Sequence, residues 1–211
     1  MPSLRSFAVC AFVVATASFV VAQKVVPVEN EPHHHLLFAN DYVRVLDVIF
    51  PAGDASLVHT HTLDNLSVVI AAGTTRSDRI DAGGQPQPAP VGRIAFNSAS
   101  PPYTHRVVNL GTTVVRIFDV QLLKGTAESA RTDRDDLAGH VTAVENAHVR
   151  ADRITLSPGE TLAAHTHPRG WLEIDVAGVN TGHLEWHDAG TVAAASGSAQ
   201  RSTEIVEIEP K

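Results

Sequence analysis

Two pairs of histidines stand out for their spacing: His59 and His61 flank Thr60, and His165 and His167 flank Thr166. Each pair follows a glycine, Gly53 or Gly159, with five residues between. Along an extended strand, side chains alternate between faces, so both imidazoles of a pair leave the same face and can reach one ion. Imidazole nitrogen suits Zn, Cu, Fe and Ni better than the oxygen-preferring Mg and Ca. A third ligand must come from another strand, and for the first pair the candidate is His105 in "PPYTHRVVNLG", with Asn109 four places on. Asn65 shares the strand parity of His59 and His61 and offers a weak amide oxygen, whereas Asp64 points to the other face if the strand is unbroken. Three neutral imidazoles leave the charge of a divalent ion uncompensated, which favours an anionic molecule as a further ligand.

The second pair lacks such support. Sliding the first pair's neighbourhood onto it places Trp171 at the position of Asn65, and aligning the final strands "RIFDVQ" and "EIVEIE" places Ala193 at the position of His105. Glu173 is a fallback ligand only if "PRG" loops the strand, and His183 and His187 are other recruits. The expectation is one three-histidine site, His59, His61 and His105 with Asn65 as a weak addition. His165, His167 and Glu173 are then the remnant of a second.

These stretches belong to an internal repeat. At an offset of 106 residues Asn40 meets Asn146, Val43 and Arg44 meet Val149 and Arg150, and Gly53 meets Gly159. His59 then meets His165, His61 meets His167 and Leu66 meets Leu172, all without a gap. Between the copies, "KGTAESARTDRDDLAG" is polar, charged and bounded by glycine, as suits a surface linker. The expected domains are therefore 33–123 and 140–211, joined by 124–139. "YVRVLDVIF", "LSVVIA", "TTVVRIFDVQLL", "HVRADRITL", "WLEIDVAG" and "TEIVEIEP" are β-rich runs separated by turn residues. No stretch reads as a long amphipathic helix, so the fold class is all-β, with two similar sandwich or barrel units.

The pattern Gly53, five residues, His59-Thr60-His61, with Gly73 beyond and His105, three residues, Asn109 later, resembles the cupin superfamily. Asn65 stands where that family usually carries glutamate, and the Pro-x-Gly element of its second motif is missing around Pro101 and Pro102. The resemblance implies tandem cupin barrels (double-stranded β-helix or jelly roll), the first with the more complete metal site and the second degenerate. It also implies a divalent transition metal (Fe, Mn, Ni, Cu or Zn), a small oxygen-rich ligand or substrate, and pairing of chains as a possible homodimer. Cupin chemistry runs from dioxygenases to isomerases and lyases and to non-catalytic binding, so fold alone does not choose. No side chain declares itself as a general base.

The net charge of −7 comes with no basic run, which argues against a nucleic-acid surface. Residues 1–22 read as a secretory signal: Arg5, an apolar run from Phe7 to Val21, and Ala22 before Gln23. The apolar run is shorter than the ~20 residues that span a bilayer, so no stable membrane insertion is expected after cleavage. The destination is then periplasmic or secreted. Cys10, the single cysteine, leaves with the leader, so any metal must be held by histidine, carboxylate or amide groups. His33, His34 and His35 read as a polar segment capping the barrel or as a metal-binding tract. Arg93, Tyr103 and Arg106 are candidates to orient an anion, although surface or ladder positions explain each of them better. Asp54 and Glu160 are turn residues, and Trp171 and Trp186 are core or interdomain contacts.

Overall fold

The computed structural model describes residues 24–124 and 139–211; the expected leader, Cys10 and nearly all of the expected linker lie outside the described residues. The first unit runs β1 (Val25–Pro27), a 3-10 turn (Val28–Asn30), β2 (His34–Ala39), β3 (Val43–Phe50), β4 (Val58–His61) and β5 (Asn65–Ala71). It continues through β6 (Gly73–Arg79), β7 (Pro86–Ala89), β8 (Ile94–Asn97), β9 (Tyr103–Asn109) and β10 (Val115–Leu122). The second unit comprises β11 (His140–Glu145), β12 (Val149–Leu156), β13 (His165–Thr166), β14 (Trp171–Ala177), β15 (Leu184–His187), β16 (Val192–Ala193) and β17 (Thr203–Pro210). The six β-rich runs read from the sequence coincide with β3, β5, β10, β12, β14 and β17. The first unit starts earlier than residue 33, because β1 pairs in parallel with β4, Val26 opposite His59. Among the described residues no helix is long and apolar enough to cross a membrane.

Each unit is built from two sheets. In the first, β1-β4-β9-β6-β7 faces β2-β3-β10-β5-β8. In the second, β11-β12-β17-β14-β15 corresponds to the latter sheet strand for strand, whereas the other sheet has shrunk to the pair β13-β16. The segment joining β5 to β8, which carries the β6-β7 hairpin, is replaced in the second unit by the short turn Gly178–His183 between β14 and β15.

The repeat offset shows in the packing. On β3, Val43 and Val45 are buried on one face and Leu46, Val48 and Phe50 on the other; on β12, Val149 and Ala151 are buried on one face and Ile154 and Leu156 on the other. A strand buried on both faces reads as a nearly continuous apolar run, which is why these two were easy to locate. Both strands are followed by a turn with a left-handed glycine, Gly53 (φ 72°) and Gly159 (φ 78°), a backbone that side-chain-bearing residues rarely adopt.

The two large sheets pack against each other. Val43, Val45, Leu66, Val68, Phe118 and Val120 of the first unit form one apolar cluster with Val149, Leu172, Ile174, Val206 and Ile208 of the second. Tyr42 stacks on Trp186 across this boundary, ring centroids 5.4 Å apart. With one face of each large sheet committed to this shared core, the alternate residues of the same strands point into the barrels. That is how Asn65, Asp119, Gln121, Glu173, Glu207 and Glu209 come to face inward.

Candidate metal centres

In the first barrel β4 carries His59 and His61, and β9, antiparallel to it, places His105 directly opposite His59. A fourth imidazole, His34, arrives from β2; its ring lies 4.8 Å from that of His59. His59 and His105 are 4.5 Å apart between centroids, and His61 and His105 5.0 Å. The ring nitrogens facing outward from the cluster are held from behind. His59 Nδ1 donates to the Leu57 carbonyl (2.9 Å), His34 Nδ1 to the Glu31 carboxylate (2.6 Å), and His105 Nδ1 meets Ser77 Oγ at 2.7 Å. Such backing hydrogen bonds fix the tautomer that leaves Nε2 as the free lone pair. His61 Nε2 and His105 Nε2 stand 3.2 Å apart, and His59 Nε2, in a fully buried residue, has no hydrogen-bond partner.

Burial pulls the His59 imidazole down to about 4 and His105 to about 3, with neighbouring imidazoles adding to the effect on His105. His61 is pulled down as well, by burial and then by the charges of His105 and His59. All three are therefore neutral near pH 7, the state a metal requires.

Asn65 does not join the converging nitrogens. Its amide sits at the rear of His61, 3.3 Å from Nδ1, and is held by Tyr103 Oη (2.9 Å) and by Asn97 (3.0 Å). The expected weak amide ligand is instead a positioning residue, because β5 begins behind the His61 ring, which stacks on Tyr103 at 4.7 Å. Asp119, pushed up to about 6 by burial, also lies behind, 3.8 Å from His61 Nδ1. Asp64 turns away and accepts the Ala99 N–H at 2.6 Å. Asn109 is a structural tie: its amide donates to the carbonyls of Phe50, Pro51 and Thr113. Arg93 reaches the Pro88 carbonyl, whereas Arg79, not singled out from the sequence, lies over the Tyr103 ring at 4.5 Å.

The second barrel repeats the scaffold with other donors. β13 pairs with β16 so that His165 faces Ala193, the counterpart of His59 facing His105. The third motif ligand is absent there. Yet His140 on β11 packs 4.8 Å from His165, and Glu207 on β17 reaches all three imidazoles: His140 Nε2 at 2.9 Å, His165 Nε2 at 3.1 Å and His167 Nε2 at 3.0 Å. Glu173 is outside this group. Its strand parity does face inward, opposite Glu207 in register, but its carboxylate meets His187 Nε2 at 3.4 Å. Burial, then the negative charges of Glu207, Asp175 and Glu185, raise Glu173 to about 7. With Asp175, His183 and Glu185 it lines a cavity of about 320 Å³. Trp171, fully buried, is sandwiched between His167 (4.2 Å) and His187 (4.6 Å). Glu160 closes its turn by accepting the Ser157 N–H.

Among the described residues two groups can therefore hold a metal ion: His34, His59 and His61, with His105 beside them, and His140, His165, His167 and Glu207. Sequence reasoning missed His140 and Glu207, and it read His34 only as part of the His33–His35 tract, a barrel cap or metal-binding segment, without joining it to His59 and His61. The signal was present, since 34 plus the repeat offset of 106 is 140, and the alignment that finds Ala193 also sets Glu207 on Asp119.

No protein-family model and no curated protein matches the sequence. Solved structures do match in fold. AerE from Microcystis aeruginosa aligns over 88% of this chain and 96% of its own, at 13% identity and a TM-score of 0.58. The bacterial pirin YhhW from Escherichia coli in complex with nickel(II) aligns over 83% and 89%, at 17% identity and a TM-score of 0.56. The 7S globulin of Momordica charantia aligns over 84% and 81%, at 10% identity and a TM-score of 0.55.

Proposed function

The fold is that of the tandem cupin barrels, and we propose that this protein is a metal-dependent bicupin whose first barrel acts on, or holds, a small anionic, oxygen-rich molecule. His59, His61 and His105 would hold a divalent transition ion (Fe, Mn, Ni, Cu or Zn), with His34 as a fourth nitrogen donor. The observation that carries this reading is the buried Nε2 of His59, left without a partner beside converging imidazoles. An unpaired buried polar atom costs about 1–3 kcal/mol, and a cation at that point removes the cost. The spacing agrees as well. Metal–nitrogen bonds of about 2.0–2.1 Å imply ligand–ligand edges of about 2.8–3.4 Å in octahedral or tetrahedral sites, and His61 and His105 present 3.2 Å. The pirin YhhW relative, solved with nickel(II), supports a metal in this fold.

When bound, the metal would supply Lewis-acid or redox chemistry at positions left open to a ligand. The chain's own residues do the rest. Glu31, Leu57 and Ser77 aim the imidazoles. Arg79 brings a positive charge to the barrel mouth, on the strand face that carries Ser77 two residues earlier. The cleft beside it, about 470 Å³, is lined by Arg79, Ile80, Asp81, Ser100, Tyr103 and Thr104, so Arg79 faces it together with the carboxylate of Asp81. No carboxylate joins the first cluster, so the ion's charge is left for the ligand to neutralise. We also read residues 1–22 as an export signal, which would put the mature protein in the periplasm or outside the cell.

Elemental analysis of the purified mature protein tests the reading. Wild type is expected to retain a transition metal that His59→Ala/His61→Ala loses from the first barrel. Equal and negligible binding of Zn, Fe, Cu, Ni and Mn by both proteins would reject it. Oxygen consumption with Fe(II) and a panel of small carboxylates, diketones and thiols then separates an oxygenase from a non-redox enzyme or a binding module.

A further inference from the structure

The second barrel stands on its own residues, and its geometry carries a separate conclusion. Side chains of His140, His165, His167 and Glu207 are 2%, 7%, 1% and 2% exposed, and their donor atoms all lie within 4.8 Å of one another. They come from three strands: β11, the β13 segment and β17. Only His165 and His167 occupy the positions of the histidine motif. His140 and Glu207 reach the same point from the first and last strands of the barrel.

Counting hydrogens shows what the arrangement lacks. His167 has Glu207 at Nε2 (3.0 Å) and Glu209 at Nδ1 (3.3 Å); His165 has Glu207 at Nε2 (3.1 Å) and the Ala163 carbonyl at Nδ1 (3.1 Å). A neutral imidazole carries one N–H, so the two rings satisfy both acceptors only if both are protonated, which places two like charges with ring centroids 5.2 Å apart in a buried site. A cation at the point where the Nε2 atoms and the Glu207 oxygens meet resolves this, with each Nδ1–H left to its carbonyl or carboxylate, the arrangement that orients metal-bound histidines generally. The separations of 2.9, 3.1 and 3.0 Å between Glu207 oxygens and the three nitrogens fit the edges of a coordination shell with bonds of about 2.0–2.2 Å. Larger ions such as Ca²⁺, at about 2.3–2.6 Å and preferring oxygen, fit neither the spacing nor the donors.

We propose that the second barrel is an independent metal centre in which His140, His165, His167 and Glu207 hold a divalent first-row transition ion through three nitrogens and one carboxylate oxygen. It goes beyond the function proposed for the first barrel and survives if that reading fails. The two centres differ in donor set: nitrogen alone in the first, nitrogen with a carboxylate in the second. Carboxylate ligation weakens the ligand field, so the second centre favours Fe, Mn or Co relative to Cu more than the first does.

Trp171 makes the second centre observable by itself. It lies 4.2 Å from His167, and the chain's other tryptophan, Trp186, is at the barrel boundary against Tyr42. The experiment uses the full chain carrying Trp186→Phe, stripped by chelation and titrated with Co(II). Bound cobalt is counted by elemental analysis, and its visible spectrum and Trp171 fluorescence are followed. One equivalent is expected to quench Trp171, and quenching should persist when His59→Ala/His61→Ala disables the first barrel. Glu207→Gln should weaken the quenching phase at least tenfold and leave cobalt in the first barrel untouched. Circular dichroism and a second variant, His140→Ala, guard against loss of fold, since either substitution alone must give the same selective loss. Unchanged quenching in folded Glu207→Gln and His140→Ala would overturn the proposal. So would a wild type whose cobalt binding is wholly abolished by His59→Ala/His61→Ala.

Discussion

The two barrels share their large sheet strand for strand and part company around the metal-capable clusters. In the first, a five-stranded sheet brings His105 on β9 and Ser77 on β6 to the cluster; in the second, the β6-β7 hairpin has no counterpart and Ala193 replaces His105. The vacancy is covered from the other sheet. Asp119 in the first barrel and Glu207 in the second occupy the same register, opposite Leu46 and Asp152, which are themselves one repeat apart. Aspartate, one methylene shorter, stays behind His61 at 3.8 Å; glutamate extends far enough to touch three imidazoles. The comparison teaches that a barrel interior offers several routes to one point, and that a lost motif residue need not mean a lost site.

The largest expected effect tests whether the barrels are one folding unit. Leu172 is fully buried in the shared core, and Leu172→Ala should cost about 2–5 kcal/mol. Chemical denaturation should show loss of both barrels in one transition; separate transitions for Trp171 and for the first barrel would contradict a common core. Next comes Glu31, whose side chain is inaccessible to solvent and accepts from His33, His34 and the Leu57 N–H. Removing its charge in Glu31→Gln leaves those donors poorly matched and should cost roughly 3 kcal/mol. It should also loosen metal binding in the first barrel only, which cobalt titration of both centres would report.

In the pH response of the stripped protein, the imidazoles of the first barrel act against the raised carboxylates of Asp119 and Glu173, which gain stability as pH falls. His59 and His105 have folded pKa values near 4 and 3, below the unfolded value of 6.5, so the unfolded chain takes up protons first. The imidazole contribution is complete above about 6.5 and declines as pH falls towards the folded values. Glu31, burial notwithstanding, is held below the usual carboxylate range by its hydrogen bonds to His34 and His33, and adds a loss in the same direction below 4.5. The imidazole contribution is read as a difference: between pH 7.5, 6 and 5, thermal melts of the chelated wild type should fall more steeply than those of chelated His59→Ala/His61→Ala, and excess Zn should reduce that difference. Smallest is the aromatic stack at the half-buried boundary between the barrels, counted apart from the area it buries. Trp186→Ala removes the stack on Tyr42 and should cost about 0.5–1.5 kcal/mol beyond the buried area lost. Melting of both centres' variants in parallel would show whether this contact is felt equally by each barrel.

Much of this was legible in the sequence because repetition is a global signal that needs no local propensity. The 106-residue offset identified two copies, and the apolar runs of β3 and β12 were visible because both their faces are buried. The pairing of His59 with His105 was suggested by motif spacing. His140 was overlooked, and His34 was read within its own histidine tract rather than with His59, because both belong to strands whose exposed neighbours, such as Leu36 and Val141, obscure any pattern. Glu207 was overlooked for a different reason. A glutamate in "TEIVEIEP" reads as an ordinary solvent-facing position on a half-buried strand, and only the packing of Val206 and Ile208 against the first barrel turns it inward. Glu173 had the right parity but lies one strand away from the cluster, an offset set by long-range register that local sequence does not encode.

The core shared between the large sheets has one more consequence. A single-barrel ancestor with that apolar face would have needed a second copy of itself, and both halves of a symmetric pair must carry identical residues. Fusing the copies into one chain fixes the pairing at one to one and frees each half to change alone. The chain is in effect a dimer whose halves are free to differ: Ala193 stands where the other half has His105, and Glu207 where it has the shorter Asp119.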